Sequence, residues 1–213
     1  MHIMEGFLPF EWSVFWFAFS APFLVYGSIK LRKLKERRER VLLAVSVGFI
    51  FVLSAMKIPS VTGSCSHPTG TGISAILFGP GITAVLSAIV LLYQALLLAH
   101  GGLMTLGANV ASMGIIGPFF GWCAYKMLKK REKVAIFVAS AVADLSTYLI
   151  TSIQLGLAFP VTPGIEGVLI STARFMAVFA VTQIPIAIIE ASLAVAVLTE
   201  VMHKLEAPEV VKA

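Results

Sequence analysis

Long apolar stretches restrict the fold of this chain more than any other feature of its sequence. Of the 213 residues, 58% are hydrophobic and only 13% are charged, whereas soluble domains carry about 25% charged residues. A helix needs roughly 20 residues to cross the hydrocarbon core of a bilayer, and it bonds its own backbone polar groups internally. The composition therefore predicts an all-α integral membrane protein, with residues 1–213 forming a single transmembrane domain.

Six apolar runs have the length of membrane-spanning helices. A seventh run, Gly72–Phe78, is too short to cross alone, and we expect it to be buried within the protein. The last long run exceeds the bilayer thickness, so it is expected to tilt or to extend beyond the membrane. The six long runs are Glu11–Ile29, Val41–Lys57, Ile82–Ala99, Leu103–Tyr125, Val134–Leu157 and Val168–Met202.

Two basic clusters set the predicted orientation. Seven of the 16 Lys and Arg residues lie within Lys30–Arg40, and five more lie within Lys126–Lys133. Basic loops remain on the cytoplasmic side of a membrane. Seven helices, one of them short, then leave the N-terminus outside and the C-terminus inside. The net charge of +5 is therefore expected to reflect topology, and no nucleic-acid partner is expected.

Met1 and His2 form a candidate metal chelate at the start of the chain. The α-amine and the His2 backbone nitrogen close a five-membered ring on a metal, and the backbone nitrogen and Nδ1 of His2 close a six-membered ring. Three nitrogens held in this way favour a planar or tetragonal ion such as Ni(II) or Cu(II). No cleavable signal peptide is expected, and a bulky His2 should prevent removal of Met1. The amine is therefore expected to be free.

A Gly-rich loop on the same predicted external side, Pro59–Gly72, offers a fourth donor. The imidazole of His67 would complete a plane of nitrogens, with neighbouring polar groups orienting its ring. Cys65 competes with His67 as the fourth ligand, because residues i and i+2 of an extended loop point the same way and both side chains could then approach one ion. Its thiolate would hold a transported ion too tightly, so a packed small residue is the default interpretation of Cys65.

The remaining histidines and cysteine receive lesser roles. His100 lies in a predicted external His-Gly-Gly turn, where its side chain is expected to be solvated. The alternative is that His100 binds the metal as it enters the protein. His203 lies near the cytoplasmic end and is given no role. Cys123 lies on the opposite side of the membrane from Cys65, so no disulfide is expected between them.

Several polar residues interrupt the apolar runs, and such residues usually have a functional or paired role. We expect Asp144 and Arg174 to pair between the last two helices. The interrupting residues are Asn109, Asp144, Arg174, Gln183 and Glu190.

Three segments, Met1–Pro9, Pro59–Gly72 and Gly107–Gly114, resemble the CbiM/NikM family. These proteins are the substrate-binding membrane components of energy-coupling-factor transporters for cobalt and nickel. The resemblance covers nearly the whole chain. It implies seven helices, an inward-folded N-terminus, and metal bound by the Met1 amine, the backbone and ring nitrogens of His2, and His67.

The resemblance also implies partners and a location. The implied partners are a transmembrane coupling protein, a pair of cytoplasmic ATPases and often a small accessory membrane protein. The chain would lie in a prokaryotic inner membrane, where its bilayer is the lipid partner, and would serve cobalamin biosynthesis. Ni(II) or Co(II) would be transported cargo, and no resident cofactor is expected.

Two alternatives and one ambiguity remain at this level. A stand-alone secondary transporter would use Asp144 and Glu190 as its coupling groups. A membrane enzyme would need an open metal position with an acid or base nearby, and the loop around His67 has no carboxylate. No Gly-rich phosphate loop is visible, so ATP hydrolysis is expected from partners. Planar nitrogen ligation favours nickel, whereas the Ser-Cys-Ser-His loop is closer to the cobalt branch.

Overall fold

The computed structural model describes residues 1–59 and 64–206. Within those residues it contains seven helices and three very short strands. The loop predicted at Pro59–Gly72 is thus only partly described, and the last seven residues of the predicted domain also lie outside the described part. The helices are α1 (Phe10–Leu31), α2 (Arg37–Ala55), α3 (Thr71–Phe78), α4 (Pro80–Leu98), α5 (Leu106–Leu128), α6 (Glu132–Ala158) and α7 (Ile165–Glu206).

The all-α membrane fold is confirmed in its coarse form. Five helices in the described part of the chain, α1, α4, α5, α6 and α7, are long and apolar enough to cross a membrane. Helix α2 begins at Arg37, four residues before the predicted start at Val41, and so includes charged residues. A capping box explains this start, because Glu36 and Glu39 each bond the other's backbone amide. The number of spans and the orientation of the termini stay predictions.

The short helix α3 lies at the centre of the molecule. It contacts α2, α4, α5, α6 and α7, and its first five residues, Thr71–Ala75, are all buried. Gly72 allows this close packing, since a Cβ placed there would lie 2.7 Å from the Cα of Ser140 on α6. The predicted short, buried element at Gly72–Phe78 is therefore confirmed, with its start one residue earlier.

Three strands form a small sheet at the end of the molecule where the chain begins. They are β1 (His2–Ile3), β2 (Ile58–Pro59) and β3 (Ser64–Ser66), with β3 in the middle and antiparallel to both neighbours. The register places His2 opposite Cys65. The N-terminus is therefore part of a sheet built with the loop that precedes α3.

Helix α5 contains an irregular section. Residues Val110–Ile116 form a π-helical stretch, a geometry that is rare and is frequent at functional sites. The residue immediately before it, Asn109, contacts β1. The predicted start of this helix at Leu103 was three residues early, because Leu103 lies in the preceding turn.

Candidate metal centre

Three imidazoles and one thiol form a buried cluster between β1, β3 and the turn after α4. Each group offers one ligand atom, and these four atoms all lie within 4.8 Å of one another. None of the four residues is more than 3% exposed. The members are His2, Cys65, His67 and His100.

The spacing within the cluster suits ligands of one metal ion. Nδ1 of His2 lies 2.9 Å from Nε2 of His100, and Sγ of Cys65 lies 3.0 Å from that same Nε2. Two nitrogens that each lie about 2.0 Å from a metal, at a right angle, are about 2.8 Å apart. The observed separations are close to that value, so little rearrangement is needed for these atoms to share an ion.

Each imidazole of the cluster has one nitrogen with no hydrogen-bond partner among the described residues. These nitrogens are Nε2 of His2, Nε2 of His67 and Nδ1 of His100. Buried polar groups are normally hydrogen-bonded, so the free Nε2 of His67 indicates a missing ligand, whereas His2 and His100 approach each other through their other ring nitrogens. Nδ1 of His67 donates to the Pro68 carbonyl at 2.8 Å. That bond fixes the tautomer and leaves the Nε2 lone pair of His67 free to bind a metal.

Side chains of α5 and the preceding turn bind β1. The Ile3 amide donates to Oδ1 of Asn109 at 2.8 Å, and the Ile3 carbonyl accepts from Nδ2 of Asn109 at 3.0 Å. Oγ1 of Thr105 donates to the same carbonyl at 2.8 Å. In an antiparallel pair, backbone groups of successive residues point to opposite sides. The backbone groups of His2 therefore face Cys65 on β3.

Apolar packing also holds the N-terminus inside the protein. Met1 and Ile3 are fully buried and belong to a cluster that includes Trp16, Tyr148 and Phe179. Full burial of a side chain of this size stabilises by about 1.5–3 kcal/mol. The two side chains that flank His2 thus anchor it, while its own ring turns toward the other imidazoles.

The turn after α4 directs His100 inward. Ala99 has a left-handed conformation at φ 47° and ends the helix. Gly101 continues the turn at φ 78°, and a Cβ on Gly102 would lie 2.6 Å from the Cα of Glu5. Only glycine permits this approach, so the two glycines bring the turn against the N-terminal segment. His100 is buried as a result, and the expectation that it is solvated was wrong.

Buried polar side chains of α6 and α7 hold the segment that carries His67. Nε2 of Gln183 donates to the His67 carbonyl at 3.2 Å and to both oxygens of Asp144 at 2.8 and 2.7 Å. Glu190 accepts from the Thr69 amide, from Thr69 Oγ1 at 2.9 Å and from the Gly70 amide at 2.9 Å. These contacts fix the backbone from His67 to Gly70.

The predicted pair of Asp144 and Arg174 is not formed. Arg174 is exposed, whereas Asp144 is buried and accepts from Gln183. An amide that donates to both carboxylate oxygens satisfies Asp144 without a buried cation. Both cysteines are free, as predicted.

Burial keeps the nitrogen donors of the cluster unprotonated. Burial first, and then the neighbouring imidazoles and the Met1 amine, hold the pKa of His2 and of His67 well below the usual value of 6.5. Burial and the Met1 amine lower the pKa of His100 to about 3. Burial also lowers the pKa of the Met1 amine below 8.0, and it raises the pKa of the Cys65 thiol. Neutral imidazoles and a neutral amine are the forms that bind metal.

The structure brings together His2 and His67 as the sequence predicted, with Met1 buried beside them. It adds Cys65 and His100, which sequence reasoning placed outside the set. The His-Gly-Gly sequence was the available signal for His100, because two consecutive glycines permit a close approach that a solvated turn does not require. His203 is exposed near the end of α7, where no role was expected.

A buried set of imidazole and thiol donors, built into a bundle of apolar helices, defines a multi-pass membrane protein that handles a transition metal. The sequence matches the family described as the cobalt uptake substrate-specific transmembrane region, CbiM, over residues 2–206. The chain therefore belongs to the CbiM family.

Named relatives and solved structures agree with this assignment. A CbiM protein of Archaeoglobus fulgidus is 58% identical over 217 residues, covering 100% of both chains. The cobalt transport protein CbiM of Listeria seeligeri is 54% identical, covering 96% of this chain and 83% of its own. A crystal structure of a truncated transition metal transporter shares the fold at a TM-score of 0.83 and 25% identity, covering 96% of this chain and 99% of that one.

Proposed function

We propose that this chain is the metal-binding subunit of an ATP-driven energy-coupling-factor transporter that takes up Ni(II) or Co(II). The metal would be cargo, held by the Met1 amine, the backbone and ring nitrogens of His2, and Nε2 of His67. The observation that carries this proposal is the buried cluster, in which Nε2 of His67 has no hydrogen-bond partner among the described residues and Nδ1 of His2 lies beside the ring of His100.

Burial of the donors supports capture at low metal concentration. The Met1 amine is neutral over a wider pH range than an exposed amine, because burial lowers its pKa. The ring of His67 is already fixed in the tautomer that offers Nε2. Both features reduce the protonation and ordering costs of binding.

Ligation through the His2 backbone nitrogen has a structural consequence. That nitrogen must lose its proton, and it faces Cys65 in the pairing of β1 with β3. Metal binding would therefore replace part of this short strand pairing. Reprotonation of the same nitrogen would restore the pairing and weaken the chelate, which provides a route to release.

Cys65 and His100 enlarge the set of donors available to the ion. A plane of four nitrogens suits Ni(II), whereas further donors above or below the plane suit an ion that takes more ligands, as Co(II) does. The names of the relatives refer to cobalt. We therefore propose a site that accepts both ions, with Cys65 and His100 contributing most to cobalt binding.

The buried carboxylates support a metal-binding subunit better than a proton-coupled transporter. A secondary transporter would use Asp144 and Glu190 to carry protons, but here both belong to hydrogen-bond sets that fix the segment from His67 to Gly70. Their role in this proposal is to position His67. Energy for transport would come from the coupling protein and the ATPase pair.

Uptake of radioactive nickel and cobalt by cells that lack their own metal importers tests this proposal. The chain would be expressed alone, with a coupling protein and ATPase pair, and with an ATPase pair unable to hydrolyse ATP. We expect sustained uptake only with active ATPases, and its loss in His67→Ala. Equal uptake by the chain alone would contradict ATP coupling.

A further inference from the structure

A large groove lies at the opposite end of α1 and α5 from the metal centre. The two helices meet closely near Gly107, where a Cβ would lie 2.6 Å from the Phe17 backbone nitrogen, and Oγ of Ser20 donates to the Gly107 carbonyl at 2.9 Å. Beyond this contact they separate around a cavity of about 1210 Å³, with the turn between α3 and α4 as its floor. It shares no lining residue with the metal centre.

The walls of this groove are mainly apolar, and seven of the twenty lining residues are aromatic. Phe23 of α1 and Phe119 of α5 are 41% and 46% exposed, and both line the cavity. Phe78 and Pro80 form part of the floor. The volume exceeds the roughly 300–1,000 Å³ of a site for a drug-sized ligand, so the walls suit a long apolar chain.

Three lysines lie around the mouth of the groove. Lys30 lies in the last turn of α1, Lys126 lies in the last turn of α5, and Lys129 follows the end of α5. Nζ of Lys30 lies 4.7 Å from the Tyr26 ring centre, and Nζ of Lys126 lies 5.0 Å from the Trp122 ring centre. Within the described part of the chain, no lining residue is acidic. The mouth therefore attracts an anion.

This combination defines an amphipathic ligand with an anionic head. A soluble phosphate would leave the apolar walls unfilled, and an uncharged lipid would supply no negative charge to the three lysines, two of which lie over aromatic rings. Both basic clusters are predicted to lie on the cytoplasmic side, where anionic headgroups concentrate, and basic recesses between membrane helices on that side bind them.

We propose that the groove between α1 and α5 binds one anionic phospholipid, with an acyl chain against Phe23 and Phe119 and the headgroup phosphate at Lys30, Lys126 and Lys129. The bound lipid fills the space where the two helices separate and links α1 to α5. This site is independent of the proposed transport function, because it rests on residues that the metal centre does not use.

Quenching of Trp122 fluorescence by brominated lipids tests the proposal. The full-length protein would be reconstituted with brominated phosphatidylglycerol or brominated phosphatidylcholine at equal mole fractions. Trp122→Phe would be measured in parallel, to subtract the signal of Trp12 and Trp16. We expect Trp122 to be quenched at a lower mole fraction by the anionic lipid. Equal quenching by the two lipids would overturn the proposal, and would leave the groove to bulk lipid or to a protein partner.

Matched lysine variants identify the headgroup site. Each lysine near an anionic headgroup contributes about a fivefold preference, so Lys126→Gln with Lys129→Gln should lower the preference by about 25-fold. Lys33→Gln with Lys35→Gln removes the same charge outside the groove and should leave the preference unchanged. Lys126→Arg with Lys129→Arg should retain it. Equal losses in the two glutamine variants, or competition by millimolar glycerol phosphate, would refute a lipid site.

Discussion

Replacing Asn109 by alanine should weaken metal binding, although Asn109 does not belong to the donor set. Its side chain makes two hydrogen bonds to the backbone of Ile3, at 2.8 and 3.0 Å, and it is only 1% exposed. Alanine would leave the Ile3 amide buried and unsatisfied, while Thr105 still binds the Ile3 carbonyl. The change should therefore release β1, and with it His2, from the cluster.

The size of this effect follows from the bonds that are lost. Two hydrogen bonds contribute about 2 kcal/mol, and an unsatisfied buried amide adds about 1–2 kcal/mol. A cost of about 3–4 kcal/mol corresponds to a factor of about 150–1,000 in an equilibrium constant. The Kd should rise by less than this factor, because β1 remains mostly docked until its own docking free energy has been lost. We therefore expect the Kd for Ni(II) to rise at least about tenfold.

Competition titration against a coloured chelator measures the Kd in detergent. Gln94→Ala is the matched control, because Gln94 is an equally buried amide whose side chain donates two hydrogen bonds, to Phe51 and Ser54, away from β1. Asn109→Asp should give an intermediate Kd, since it keeps an acceptor for the Ile3 amide. A Kd that changes no more in Asn109→Ala than in Gln94→Ala would refute the docking argument.

Three further predictions concern the donors and their supports. His100→Ala should raise the Kd for Co(II) by about 10- to 100-fold in the same titration, whereas the exposed His203→Ala should not change it. Glu190→Gln should raise the Kd for Ni(II) about tenfold or more, because it weakens the bonds that orient the His67 segment, with the exposed Glu166→Gln as its control. The third prediction concerns pH. The folded-state pKa values of the cluster imidazoles are lowered, to about 3 for His100. Below about pH 6.5 the unfolded chain therefore takes up more protons at these imidazoles than the folded chain does. The metal-free wild type should accordingly lose more thermal stability than His100→Ala as the pH drops from about 6.5 toward 4, and equal losses in the two proteins would contradict the burial of a neutral His100.

The affinity for the metal should also fall as the pH is lowered, for a reason separate from protonation of the imidazoles. Burial keeps the imidazoles neutral at mildly acidic pH, but in the proposed chelate the His2 backbone nitrogen must release one proton to bind. One released proton lowers the apparent affinity about tenfold for each pH unit of acidification. A Kd that stays constant between pH 7.5 and 6.5 would exclude the backbone nitrogen from the ligand set.

The sequence was sufficient for the helices because apolar length is a local property. The predicted runs Ile82–Ala99 and Val134–Leu157 differ from the observed helices by one or two residues at each end. The first residues of helices that begin in polar sequence are harder to predict. Helix α2 extends back into charged residues because Glu36 caps it, and hydropathy carries no information on capping.

The donor set depended on tertiary contacts that hydropathy cannot supply. Met1, His2 and His67 were predicted from chelate geometry and from a resemblance, and the structure brings His2 and His67 to the same buried cluster. His100 was assigned to solvent because turns usually lie at the surface. Its burial depends on the N-terminal segment lying over the turn, a contact between residues about 100 positions apart. The pairing of β1 with β3 is likewise too short to leave a sequence pattern.

Retaining the formyl group on Met1, by inhibiting deformylation in the bacterial host, tests the central claim most directly. The formyl group keeps every side chain but converts the α-amine into an amide that cannot serve as the amine donor, so metal content and the absorption spectrum of the purified protein should respond together. We predict that the deformylated protein retains Ni(II) or Co(II) after desalting, and that the formylated protein loses both the metal and the d–d band of a planar nitrogen field. Retention of the metal with an unchanged spectrum would contradict the chelate, and would place the ion on Cys65, His67 and His100 instead.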